Sequence, residues 1–174
     1  MRNWSEARVF ELCEAYGLEP MPTSPLEDSR DHVDITVELE GIRLGIDVKA
    51  PRRLARQDES FSYWYTWLEL RNRNGLRGSL FGSATFIVIG SPRGWLWMKR
   101  EDLAAECVLR YIEQTGSKDI NKPWWTKQRG QSVIILTPYT YLYKHAVYRW
   151  EDGDLRRKYY AAYKQEANAC PVDT

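Results

Sequence analysis

The chain has 174 residues, of which 43% are hydrophobic and 13% aromatic. That length suits one domain with a sizeable core, and that composition excludes an intrinsically disordered chain. Lys and Arg number 25 against 24 Asp and Glu, so net charge supplies no long-range pull on nucleic acid, and any such pull must come from local segregation.

That segregation is visible. Glu27, Asp28, Asp31, Asp34, Glu38 and Glu40 form an acidic stretch. Lys49, Arg52, Arg53 and Arg56 follow as a basic one, and Arg71, Arg73 and Arg77 as another. An acidic patch beside basic ones suits a cation site next to a phosphate-binding surface, although a solvated mixed-charge surface reads the same way. Cys13, Cys107 and Cys170 are far apart and show neither metal-ligand spacing nor a disulfide framework, so reduced thiols are expected. Met1 is followed by no charged-then-apolar leader, and no apolar run approaches the roughly 18 residues of a membrane span. A soluble, cytoplasmic protein is the expectation.

In chain order, residues 5–16 read as a helix with Ser5 as N-cap and Gly17 beyond its C-terminus. Val9, Leu12, Cys13 and Tyr16 define its buried face, and Glu6 falls close to that face while Glu11 and Glu14 point away. Residues 18–32, rich in Pro, Ser and Asp, read as a loop. Val33, Ile35, Val37 and Leu39 then alternate with Asp34, Thr36, Glu38 and Glu40. After a turn near Gly41, Ile42, Leu44, Ile46 and Val48 alternate with Arg43, Gly45, Asp47 and Lys49, and Pro51 ends the hairpin.

Residues 61–70 are predicted to extend the sheet, 74–83 to form a glycine-rich loop, and 84–89 and 94–99 to be strands. A helix over 101–115, a strand over 132–136, a helix over 139–150 and a last helix over 154–168 complete the reading. The pattern predicts one α/β domain over residues 1–174, a mixed β-sheet flanked by helices, with a C-terminal helical extension over about 138–168.

On the hairpin, Asp34, Asp47 and Lys49 all fall on the polar face, since side chains repeat every two residues. Two carboxylates and an ammonium brought together suit phosphodiester hydrolysis. A hard divalent cation takes one or two carboxylates and keeps several waters, and a nearby lysine can orient the attacking water or stabilise transition-state charge.

Asp34 followed on the next strand by Asp47-Val48-Lys49 resembles the signature of the PD-(D/E)XK nuclease superfamily, with Val33 where the family's proline stands. Resolvase-like members carry a helix glutamate followed by spaced apolar residues and a glycine, matched here by Glu6, Val9, Leu12, Cys13 and Gly17. The resemblance covers roughly residues 5–50, and the segment Trp67-Leu68-Glu69-Leu70-Arg71-Asn72 with Gly75, Gly78 and Gly82 more weakly resembles small phage-type members. It implies a restriction-endonuclease-like core and a Mg²⁺- or Mn²⁺-dependent endonuclease acting on DNA. Asp34, Asp47, Glu6 and the Val48 carbonyl would hold the metal, and Lys49 would act on the water. A homodimer fits the cutting of two strands. A catalytically inactive nucleic-acid-binding or protein-interaction module on the same fold is the alternative.

Arg52, Arg53, Arg56, Arg71, Arg73 and Arg77 are candidate phosphate contacts, or solvated loop residues. Glu69 and Asn72 are candidates for orienting substrate, or serve a turn. Among eight tryptophans, Trp64, Trp67, Trp95, Trp97, Trp124 and Trp125 can stack on bases, but packing is expected for most, with Trp124 and Trp125 exposed beside Lys122, Lys127 and Arg129. His32 shares a side with Asp34 if strand geometry already holds there, which opens a metal or base role to it, but a loop role is expected; His145 is far from it in sequence.

Overall fold

The structure, a computed structural model, describes residues 3–52, 62–113, 124 and 126–160. Helix α1 (Trp4–Ala15) ends about one turn before strand β1 (Glu19–Pro22), which leads through a π-helical turn at Glu27–Asp31 into β2 (Ile35–Leu39) and β3 (Ile42–Lys49). Then come β4 (Tyr65–Arg71), a 3-10 turn at Ser79–Phe81, β5 (Phe86–Ser91), β6 (Gly94–Lys99) and α2 (Arg100–Glu113). The described chain closes with β7 (Thr126–Arg129), β8 (Ser132–Pro138), α3 (Tyr139–His145), β9 (Tyr148–Glu151) and helical residues 153–160. A six-stranded sheet runs β1-β2-β3-β5-β6-β9 and a three-stranded sheet runs β4-β8-β7. Only β3 and β5 pair in parallel within the large sheet, so it is mixed, and the fold is α/β.

The β2–β3 hairpin forms as its alternation predicts. Leu39 pairs with Ile42 across a two-residue turn in which Glu40 (φ 52) and Gly41 (φ 78) both take left-handed backbone. Such a turn matches the twist of the strands and favours glycine at one centre.

Register shows which face is which, because directly opposed residues share a face. Ile35 opposes Ile46, Val48 opposes Val88, Val88 opposes Trp97, and Trp95 opposes Trp150. This apolar face is covered by α1: Trp4 lies 6.1 Å from Trp95, and Tyr16 stacks on Trp150 at 5.0 Å. The opposite face carries Gly45, Asp47 and Lys49 beside Ile87, Ile89, Leu96 and Met98. There β4 approaches, since Thr66 and Trp67 line one cleft with Lys49.

Several expectations change. Helix α1 is capped by Asn3 rather than Ser5: the Asn3 side chain accepts from the Ser5 and Glu6 amides, and Glu6 closes the capping box. The stretch read as a loop holds β1, an edge strand, where prolines are tolerated because one side needs no partner. Strand β4 belongs to the second sheet instead of extending the first. The helix expected over 139–150 stops at His145, and β9 follows, pairing with β6 so that Tyr148 and Trp150 join the aromatic face of Trp95 and Trp97. The C-terminal extension is therefore helix, strand and helix. Residues 161–168 of the expected last helix lie outside the described residues, as does Cys170; Cys13 and Cys107 are buried free thiols. No helix among the described residues is long and apolar enough to cross a membrane.

Asp152 ties three of these pieces together. It is 2% exposed. Its Oδ2 accepts from Arg8 Nε (2.9 Å) on α1 and Trp95 Nε1 (3.0 Å) on β6, while its Oδ1 caps residues 153–160 through the amides of Asp154 and Leu155. Asp152→Ala strands an arginine, an indole N–H and a helix start at once. The expected loss is about 2–4 kcal/mol, read from urea midpoints; a loss below about 0.5 kcal/mol, the scale of a surface substitution, would contradict this role.

Candidate functional site

Asp47 sits on a central strand with both sheet faces covered, and its side chain is 2% exposed. Lys49, two residues on and on the same face, donates from Nζ to Asp47 Oδ1 at 2.6 Å. Asp47 Oδ2 is buried without a hydrogen-bond partner among the described residues. A buried carboxylate oxygen with no donor is costly, so this atom marks a place where the fold alone leaves a charge unsatisfied.

Asp34 arrives differently from its expected position. Its N–H donates to Ile46 O (2.9 Å), yet the ladder pairs Ile35 with Ile46, so two residues face one as in a β-bulge. Val33 consequently turns onto the face of Asp47: a Cβ on Gly45 would meet Val33 Cγ1 at 3.2 Å. The Thr23 hydroxyl fixes this stretch, 2.7 Å from Val33 O and 3.0 Å from Asp34 O. Asp34 then reaches along the strand edge, where its Oδ2 accepts from the Val48 amide at 2.6 Å.

Backbone direction explains that contact. Gly45 O accepts from Thr85 N beside β5, whereas Ile46 O accepts from Asp34 N beside β2. The alternation turns the Val48 peptide groups toward β2, beyond the end of its ladder. The Val48 N–H is taken by Asp34, and the Val48 carbonyl lies on that same edge.

The carboxylates feel one another. Burial first, then the charge of Asp47, pushes Asp34 up to about 6. Burial raises Asp47, while the Lys49 ammonium and a side-chain hydrogen bond with Asp34 oppose the rise. Partial burial raises Glu6, and the charges of Asp34 and Asp28 push the same way. Asp28, on the π-helical turn, raises Asp34 and Asp47 as well. Its residue type and acidic neighbourhood are visible in the sequence, but no spacing pairs it with Asp47.

Glu6 stands on the helix that covers the face opposite Asp47, with its carboxylate engaged by Asn3 at the helix cap. Among the described residues, no three His, Cys, Asp or Glu side chains group closely enough to hold a metal by themselves. The available donors are thus Asp34, Asp47 and the Val48 carbonyl.

Arg52 lies with its guanidinium 4.7 Å over the Trp67 ring, beside Lys49. Arg53 and Arg56 lie outside the described residues. Arg71, Arg73 and Arg77 are exposed, and Arg77 lines a second cavity with Arg30, His32 and Asn72. His32 has left-handed backbone (φ 53), and strand geometry has not yet begun there. The Asn72 Oδ1 accepts from the Asn74 and Leu76 amides, a turn role. The Glu69 carbonyl lies so close to Gly78 that a Cβ there would meet it at 2.1 Å. Trp95 and Trp97 are core residues, and Trp124 is 8% exposed against Tyr141 rather than out in solvent. Trp125 is outside the described residues. His145 stacks on Tyr141 at 4.3 Å, away from the site.

No protein-family model matches the chain, and a search of the curated proteins finds no match either.

The raised Asp34 pKa has a consequence for stability. The folded carboxyl binds its proton more tightly than the unfolded one, so stability is greatest below 3.8 and falls as pH rises to about 6. The size is roughly 2–3 kcal/mol. In chelator, Asp34→Asn should flatten this slope and leave the variant more stable than the parent at about pH 8 in chemical denaturation. Parallel pH profiles for the two proteins would contradict the assignment.

Proposed function

We propose that this protein is a metal-dependent nuclease that hydrolyses DNA phosphodiester bonds on a restriction-endonuclease-like core. The observation that carries this reading is the buried, unpartnered Asp47 Oδ2 beside Asp34 and Lys49. The donor set fits the group the resemblance implies: two carboxylates and one carbonyl, all oxygen, suit Mg²⁺ or Mn²⁺ with waters completing the shell. When bound, such an ion polarises the phosphodiester and makes a coordinated water a nucleophile at neutral pH.

The chain's own residues divide the remaining work. Asp47 on β3 and Asp34, just ahead of β2, would hold the ion, and the Val48 carbonyl would add a ligand. Asp28 adds negative potential without joining the donor set, since its charge acts on both Asp34 and Asp47, and Glu6, raised by burial and by the charges of Asp34 and Asp28, stays outside that set. Lys49 neutralises Asp47 in this structure. Released from that pairing, its ammonium orients the attacking water and stabilises the charge that builds on the phosphoryl oxygens. Arg52 beside the site and the exposed Arg71, Arg73 and Arg77 contact phosphates and set the backbone's position without reading sequence. Cutting both strands of a duplex calls for two such sites, so a homodimer belongs to this reading.

Nicking of supercoiled plasmid with Mg²⁺ or Mn²⁺ tests it. Chelator should abolish nicking, and Asp47→Asn and Lys49→Ala should each slow it by about 100-fold or more while circular dichroism stays unchanged. Nicking that survives both substitutions would remove this site from the chemistry.

A further inference from the structure

Beside the Asp47–Lys49 pair lies a cleft of ≈ 300 Å³ lined by Lys49, Ala50, Arg52, Thr66 and Trp67. It is formed where the end of β3 meets the start of β4. Trp67 is 37% exposed, unlike Trp95 and Trp97, which are packed in the core. The Arg52 guanidinium lies over its ring at 4.7 Å. Together they make a flat plate of π surface and delocalised positive charge, with the Lys49 ammonium at its margin.

We propose that this cleft is a subsite for one unpaired nucleotide, with the base stacked on the Trp67–Arg52 plate and its phosphate drawn to Lys49 and Arg52. Bases stack on indole rings and on guanidinium planes alike, because each offers a broad polarisable face. The phosphate meets cations on the same wall. The occupant is a single-stranded nucleotide rather than a base pair because a paired base in a duplex already has both its faces covered by neighbours. The volume sits at the lower end of ligand cavities, about 300 Å³, enough for one small group but not for a duplex edge. Lys49 belongs both to this wall and to the Asp47 pair, so a nucleotide seated here has its phosphate next to the site of hydrolysis. The subsite rests on the nuclease reading for its purpose, though not for binding itself.

The test measures binding of the full chain, in chelator and at low salt, to a labelled short oligothymidylate and to a duplex hairpin by fluorescence anisotropy. Trp67→Ala should weaken single-strand binding by about tenfold, the scale of one base stack, and duplex binding by much less, while Trp67→Phe should keep most of the affinity. With unaltered protein, a single abasic nucleotide walked along the oligothymidylate should reproduce the loss at one position. That second measurement decides the matter if Trp67→Ala does not fold. Equal affinity of parent and Trp67→Ala, or the same loss at every abasic position, overturns the subsite. Position-specific binding without cleavage in Mg²⁺ or Mn²⁺ leaves the subsite standing and brings down the nuclease reading. Cleavage of single strands by Trp67→Ala at unchanged KM does the reverse.

Discussion

A carboxylate buried in the middle of a β-sheet must be compensated, and Asp47 is compensated only by half. Lys49 satisfies Oδ1, and Oδ2 has no donor among the described residues. The surroundings act both ways. A side-chain hydrogen bond with Asp34 lowers Asp47, while the charge of Asp28 raises both Asp47 and Asp34, and Asp47 raises Asp34 in turn. Buried like charges raise one another's pKa because neither can be solvated. Natural folds keep such an arrangement where it serves a ligand, at a cost in stability. A small divalent cation is the species that would relieve all of these repulsions together.

The fold makes this cluster stiff and directional. Strand β3 is paired on both edges, by β2 antiparallel and by β5 parallel, so Asp47 and Lys49 have little freedom to move apart. The bulge at Asp34 breaks the ladder one residue early, which frees the Val48 peptide edge and lets the Asp34 carboxylate reach it. Helix α1 covers the other face, so Glu6 feels the charge of Asp34 without entering the Asp47 face. On the open side β4 supplies Trp67, and the end of β3 supplies Arg52. Acidic and cationic surfaces thus meet along a single strand end.

The sequence made the hairpin legible because alternation of apolar and polar residues has a period that only a strand satisfies. It also placed Asp47 and Lys49 correctly on one face, two residues apart. It misplaced Asp34 and Val33, since a bulge shifts parity by one and leaves no mark in residue types. Ser5 and Asn3 are both good caps; what decided between them was Glu6, three residues after Asn3, reaching back to its amide. Strand β9 was hidden inside a helical pattern because Tyr148 and Trp150 fit either period, and only the aromatic face of β6 selects the strand. The roles of Asp28 and of the Trp67–Arg52 plate depend on contacts between segments distant in sequence, which no local pattern encodes.

The claim at the centre of this account is that Asp34 and Asp47 together capture a divalent cation. Anomalous diffraction from a crystal soaked in Mn²⁺ addresses it directly. A peak is expected between the two carboxylates, within bonding distance of an oxygen of each, with Lys49 displaced from Asp47 Oδ1. An empty position under saturating Mn²⁺, with the Lys49–Asp47 pair unbroken, would contradict it.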